Sequence, residues 1–165
     1  MFTVGENIIY GSSGICKIIE ITENNLTGTM REYYVLQPVD TDKSVIYVPV
    51  DNEKLVLRMR NVPTKNELRE ILKDADCESI DWIENSLERV QTYRRILADG
   101  DIKTNITLLR TLHLRNLSML EKGRHLPSSD ERIYKDCLRL ITSEFASIMH
   151  MEHDDVIKLI LSNDK

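Results

Sequence analysis

The sequence predicts an α+β chain: a small five-stranded β-barrel over residues 1–62, followed by an α-helical bundle of about five helices over 63–165. Three observations predict it. Short β-branched and aromatic runs separated by turn clusters fill the first part of the chain, the apolar period changes from that of a strand to that of a helix after Pro63, and capping residues then recur at helical spacing.

In the first part, Asn7-Ile8-Ile9-Tyr10 reads as a strand and Gly11-Ser12-Ser13-Gly14 as a turn. Ile15-Cys16-Lys17-Ile18-Ile19-Glu20-Ile21 follows as a second strand, with its odd-numbered apolar positions on one face and Lys17 interrupting. Asn24-Asn25 and Thr27-Gly28 supply a hairpin connection to Glu32-Tyr33-Tyr34-Val35-Leu36. Asp40-Thr41-Asp42-Lys43 makes another turn, Val45-Ile46-Tyr47-Val48-Pro49 a fourth strand, and Leu55-Val56-Leu57 a short fifth. Five short strands so close together predict a closed or half-open barrel, because closure removes exposed edges. Pro49 places its strand at an edge or at its own end.

In the second part, Thr64-x-x-Glu67 is a capping box for a helix with Leu68, Ile71 and Leu72, ended by Asp74-Ala75-Asp76. Asp81 is expected to cap the next helix, with Ile83, Leu87, Val90 and Leu97 buried and Gly100 at its end. Asp101 caps a third, with Ile102, Ile106, Leu109, Leu112 or His113, Leu117 and Leu120 inward and Lys122-Gly123 closing it. Ser128-x-x-Glu131 is a second capping box, opening a helix with Ile133, Cys137, Leu138, Ile141, Phe145 and Ile148. Val156, Ile157, Ile160 and Leu161 mark a last short helix, and Ser162–Lys165 is expected to fray.

Composition narrows the function. The chain has 165 residues, 41% of them apolar, enough for a core, and a net charge of −5. Three well-separated cysteines, Cys16, Cys77 and Cys137, fit neither a disulfide framework nor a zinc site. No apolar run approaches the ~20 residues of a membrane span, and Met1-Phe2-Thr3-Val4 has no charged leader pattern. A cytoplasmic protein without a membrane role is expected. Gly11-Ser12-Ser13-Gly14 lacks the Lys-Ser/Thr of a phosphate-binding loop. His150-x-x-His153 is better explained by a surface helix junction than by a metal, and no nucleophile has a recognisable base. No enzyme, cofactor or metal is expected.

Charge is unevenly distributed. Residues 81–126 carry eight Lys and Arg against six Asp and Glu, whereas the rest of the chain is acidic. That stretch also holds the only tryptophan. Spacing places Trp82, Ser86, Arg89 and Tyr93 on one helical face. A large hydrophobe capping the bundle core accounts for Trp82 as well as a presented ring does. A wedge of that kind enters a minor groove and partly unstacks a base step, and Arg89, Arg94, Arg95, Lys103 and Arg110 are the candidate phosphate contacts. A solvated face with Glu84 and Glu88 paired to arginines is the alternative.

Val4-Gly5-Glu6-x-Ile8-Ile9-Tyr10-x-x-x-Gly14-Ile15-x-x-Ile18, Glu32-Tyr33-Tyr34-Val35-Leu36, Ile46-Tyr47-Val48-Pro49, Trp82 and Ile96-Leu97-Ala98-Asp99-Gly100-Asp101, in that order, resemble the CarD/CdnL family of bacterial transcription regulators. The resemblance implies a Tudor-like N-terminal domain that binds the β subunit of RNA polymerase. It also implies a helical domain contacting promoter DNA near the upstream edge of the bubble, where a tryptophan wedge stabilises the open complex. Aligned from Gly100-Asp101, the tryptophan of actinobacterial members falls on Ser86, one turn after Trp82. Their polymerase-contacting arginines correspond to Asn24 and Tyr47, so Lys17, Arg31, Tyr47 and Pro49, or strand backbone, are the candidate polymerase contacts here. Gly11 and Ser13 replace the usual Pro and His of the first turn. The expected protein is a monomer, with a domain-swapped dimer as the alternative. Two other functions compete: an adaptor whose domains both bind only proteins, and a reader of methylated peptide using Tyr10, Tyr33, Tyr34 and Tyr47 as a cage.

Overall fold

The computed structural model describes residues 2–39, 44–76 and 78–161. The turn Asp40–Lys43 and the tail Ser162–Lys165 lie outside them. The chain forms two compact units, Met1–Val62 and Pro63–Lys165.

The first unit is a five-stranded antiparallel sheet: β1 (Asn7–Tyr10), β2 (Ile15–Asn24), β3 (Arg31–Pro38), β4 (Ile46–Pro49) and β5 (Met59–Asn61). Their spatial order is β4-β3-β2-β1-β5. β4 and β5 are therefore its two edges, and no ladder between them closes a barrel among the described residues. β4 is an edge strand ending at Pro49, where a missing N–H is tolerated. Between β1 and β2, Gly14 adopts φ 69 ψ −146, a conformation open essentially to glycine, and closes the tight 3-10 turn Gly11–Ser13.

β2 departs from the expected alternation. Cys16 and Ile18 are fully buried, whereas Ile19 is exposed. The register explains it: Ile18 pairs with Leu36 and Glu20 with Val35, leaving Ile19 as the extra residue of a bulge. An extra residue shifts the alternation by one, so the core-facing set changes from Cys16 and Ile18 to Ile21. The core of this unit is Ile8, Cys16, Ile18, Tyr34, Leu36, Val48 and Met59. The expected strand at Leu55–Leu57 is instead a helical turn, α1 (Glu53–Val56). The Asn52 side chain accepts from the Leu55 amide at 3.3 Å and caps that turn, which outweighs the β-propensity of so short a run. Leu57 faces solvent, and the fifth strand begins at Met59.

The second unit contains α2 (Lys65–Ala75), α3 (Ser86–Asp99), α4 (Ile102–Glu121), α5 (Ser128–Met149) and α6 (His153–Leu161). α4 packs against α2, α3, α5 and α6. The Thr64–Glu67 capping box opens α2 in both directions, Asp101 Oδ1 accepts from the Thr104 amide at 2.8 Å to open α4, and Gly100 closes α3 in the left-handed conformation. Ser128 does not cap α5: the helix starts at Ser128 itself, directly after Pro127, and Glu131 pairs with Lys135 at 2.6 Å instead. On α4 Leu112 rather than His113 is buried, and the stripe stops there, with Leu114, Leu117 and Leu120 exposed. On α5 Leu140 joins the expected core and Leu138 is only half-buried. Cys137 and Phe145 are fully enclosed.

Candidate nucleic-acid interface

The start of α3 differs from the sequence expectation, and the difference shapes the site. Asp81 does not cap the helix. Residues 78–85 are non-helical, and Asn85 is the N-cap, its Oδ1 accepting from the Glu88 amide at 3.0 Å. The carbonyls that an earlier helical turn would use are taken by side chains. Arg89 donates to Ile83 O at 2.6 Å and Glu84 O at 3.1 Å, and the Tyr93 hydroxyl donates to Asp81 O at 3.4 Å. Trp82 therefore stands in the segment preceding α3, half-buried, rather than in a first helical turn.

Three side chains hold the indole. Tyr93 meets it edge-on with ring centroids 6.3 Å apart. Two guanidinium carbons lie over it, that of Arg89 at 4.4 Å and that of Arg115 at 4.7 Å from the ring centroid. The two arginines differ in what else holds them. Arg89 is 4% exposed and forks onto fully buried Asp130 of α5, Nε to Oδ1 at 3.0 Å and Nη2 to Oδ2 at 2.8 Å. Hydrogen bonding to Asp130 raises the Arg89 pKa further, so the cation is permanent. Arg115, half-buried on α4, has no ion pair or hydrogen bond among the described residues.

The basic set expected from sequence thus divides. Arg89 is internal: it anchors Trp82 and cannot present its guanidinium to a phosphate. The buried side of α3 is Arg89, Tyr93 and Leu97, while Leu87, expected inside, is 68% exposed. Periodicity counts an arginine as a surface residue, and this one is inside because α5 supplies its counter-charge. Lys103 is paired with Glu78 at 2.7 Å, which raises its pKa, and Arg110 is paired with Asp76 while its Nε donates to Ile160 O at 3.1 Å. Arg94 and Arg95 are exposed and without a partner among the described residues. Arg115 was not singled out by sequence. Only its spacing from Trp82 across the Gly100 turn connects the two, and spacing of that length carries no local signal.

In the N-terminal unit the β2–β3–β4 register places all four expected docking residues on one face. Lys17 pairs with Gln37, Asn24 with Arg31, Val35 with Tyr47, and Tyr33 with Pro49. Directly paired residues share a face, and it is the face opposite Tyr34, Leu36 and Val48. Lys17, Arg31 and Tyr47 are exposed and Pro49 half-buried. Arg31 reaches Asp51 at 3.7 Å, a solvent-exposed pair that holds it only loosely. Tyr33 meets Tyr47 edge-on at 6.1 Å, whereas Tyr34 is in the core against Phe2. Tyr33 and Tyr34 thus point to opposite faces, and the four tyrosines form no common cage.

Residues 2–62 match the family model of the CarD-like/TRCF RID domain. The N-terminal unit is thus similar to this RID domain over its whole described length. The match ends at Val62, where the first compact unit also ends. The matched unit carries the candidate face of Lys17, Arg31, Tyr47 and Pro49, and the helical unit carries Trp82. No helix among the described residues is long and apolar enough to cross a membrane, and none of their acidic, His and Cys side chains cluster as a metal site.

Proposed function

We propose that this protein is a transcription regulator that docks on the β subunit of RNA polymerase through its RID domain and contacts promoter DNA at the upstream edge of the transcription bubble through its helical unit. The family match over residues 2–62 carries the polymerase half of this reading. The RID domain family is a transcription-factor module without catalysis. Edge strand β4 offers unpaired backbone groups to a partner strand, and strand addition depends little on side-chain identity. Arg31 supports the same face. It is directly across the β2–β3 ladder from Asn24, so a cation is kept where the resemblance otherwise places one.

For the DNA half, the supporting observation is an indole fastened at its position by a buried ion pair, in a unit that also exposes Arg94 and Arg95 without a partner among the described residues. Trp82 is the wedge, Arg94 and Arg95 are phosphate contacts, and Lys103 and Arg110 contribute after exchanging their acidic partners. Arg89 acts through Trp82 as a positioning residue. Tethering to polymerase makes the DNA contact intramolecular, so it works at low intrinsic affinity and in a chain of net charge −5. The adaptor reading predicts a different result. Full-length protein that binds the β subunit but leaves open-complex lifetime unchanged is an adaptor, whereas the proposed regulator lengthens that lifetime.

A further inference from the structure

In the helical unit a cavity of about 190 Å³ lies between the end of α2, the middle of α4 and the end of α6, and Trp82 does not line it. Its wall includes Asp76, Glu78, Thr107, Arg110, Thr111 and Ile160. We infer that this cavity takes a small neutral ring with an amide or lactam edge, the edge carried by a free nucleobase or by nicotinamide. The ring's carbonyl accepts from Arg110 Nη2, and its N–H donates to the hydroxyl oxygen of Thr107 or Thr111. This small-molecule site is independent of the promoter-DNA reading.

Arg110 carries the inference. Its guanidinium pairs through Nη1 with Asp76, and its Nε donates to Ile160 O near the end of α6 at 3.1 Å. Nη2 is buried and has no hydrogen-bond partner among the described residues. An enclosed donor on a charged group is costly to leave unpaired, so this wall calls for one more acceptor. The two threonines complement it. Thr107 Oγ donates to Lys103 O at 3.0 Å, and Thr111 Oγ donates to Thr107 O at 3.0 Å or to Ile80 O at 3.2 Å. A hydroxyl has a single hydrogen, committed here to a carbonyl, so what each threonine offers a ligand is a lone pair. One wall therefore combines a donor with acceptors, the complement of an amide edge.

An anion suits the cavity less well. Asp76 neutralises Arg110 and Lys103 neutralises Glu78 at 2.7 Å, so no excess positive charge holds an anion, and both carboxylates repel one. Size sets the other bound. Drug-sized ligands fill ~300 Å³ or more, so this cavity fits a single small ring rather than a nucleotide. Leu114 and Ile160 give the ring faces apolar area.

The isotope-labelled full chain is followed by amide NMR while uracil, nicotinamide, N,N′-dimethyluracil or benzoate is added up to about 10 mM. Uracil, nicotinamide or both should shift the amide signals of Thr107, Thr111 and Ile160, with a Kd on the order of 0.1–1 mM. A response to uracil alone assigns the edge to a nucleobase, and a response to nicotinamide alone to a carboxamide. Dimethyluracil keeps the carbonyls without the N–H groups, and benzoate replaces the amide by a charge. Both should bind on the order of tenfold more weakly, because the wall's polar groups are then left unpaired. Arg110→Lys keeps a cation opposite Asp76 but lacks Nη2, and should lose on the order of tenfold in affinity. Thr111→Val removes an acceptor and should weaken binding as well, which keeps the site testable if Arg110→Lys disturbs the fold. Undiminished binding in both variants, equal or tighter binding of dimethyluracil or benzoate, or no response to any probe overturns the inference.

Discussion

Arg89 of α3 and Asp130 of α5 form a forked ion pair with side chains 5% and 0% exposed, and the same guanidinium covers the Trp82 ring. The only tryptophan is thereby fastened to the bundle interior through a charge pair formed across 41 positions of sequence. Removing one member leaves a buried uncompensated charge, which is far costlier than losing an exposed pair. Asp130→Ala is expected to destabilise the chain by about 3–5 kcal/mol in denaturant unfolding. The double variant Arg89→Met/Asp130→Leu should recover most of that loss while leaving Trp82 more accessible to acrylamide quenching. Recovery of stability with unchanged quenching would mean that Arg89 does not position the ring.

Arg94 and Arg95 have no partner to lose among the described residues, so replacing them tests charge without disturbing the fold. Each substitution to Ala should leave the melting temperature within about 2 °C, since surface changes of this kind stay within ~0.5 kcal/mol. Each should also reduce the slope of log affinity against log salt for DNA by about one unit, the signature of one lost phosphate contact. An unchanged slope in both would remove them from the interface.

Stability should fall in acid in a way traceable to one residue. The Thr64 amide and hydroxyl donate to Glu67 Oε2 at 2.7 and 2.8 Å and hold its carboxyl below the ordinary 4.5. A depressed folded-state pKa stabilises at pH above the unfolded value, and the gain is lost as pH falls through the folded one. Thermal melts from about pH 6 to pH 3 should therefore show a decline that Glu67→Gln makes shallower. Parallel profiles for the two proteins would contradict the capping-box assignment.

Docking by the RID face predicts an asymmetric mutational pattern. Tyr47→Asp places a charge on the exposed edge strand and should weaken capture of the polymerase β subunit by full-length protein about tenfold or more, while Lys17→Ala changes it by less than about threefold. Comparable losses for both would shift the contact from the β4 edge to the sheet centre.

How far the sequence discloses this molecule depends on whether local pattern or distant pairing decides each element. The Thr64–Glu67 box, the Asp101 cap and Gly100 are local devices, and α2, α4 and the end of α3 begin or stop where those residues say. β1 and β4 are legible from their apolar runs. Other elements turn on partners that spacing cannot reveal. The bulge at Ile19 is set by pairing with β3, and it exchanges the faces that a simple alternation assigns to Ile15, Ile19 and Ile21. Asn52 converts Leu55–Leu57 from an expected strand to a helical turn through one side-chain bond. Arg89 reads as a surface cation until Asp130 is placed beside it, and its bonds to Ile83 O and Glu84 O also explain why α3 starts at Ser86. The family match gives the N-terminal unit a context, whereas the asymmetry of Arg89 and Arg115 around Trp82 emerges only from the packed bundle.

The most direct test of the account is the lifetime of polymerase–promoter open complexes after competitor challenge, with the full-length protein, Trp82→Ala and Trp82→Phe compared at saturating concentration. The wedge costs and returns a few kcal/mol at one base step, so Trp82→Ala should shorten the lifetime on the order of tenfold while retaining β-subunit binding, and Trp82→Phe should restore part of it. A lifetime identical for wild-type protein and Trp82→Ala, with both bound to polymerase, would contradict it.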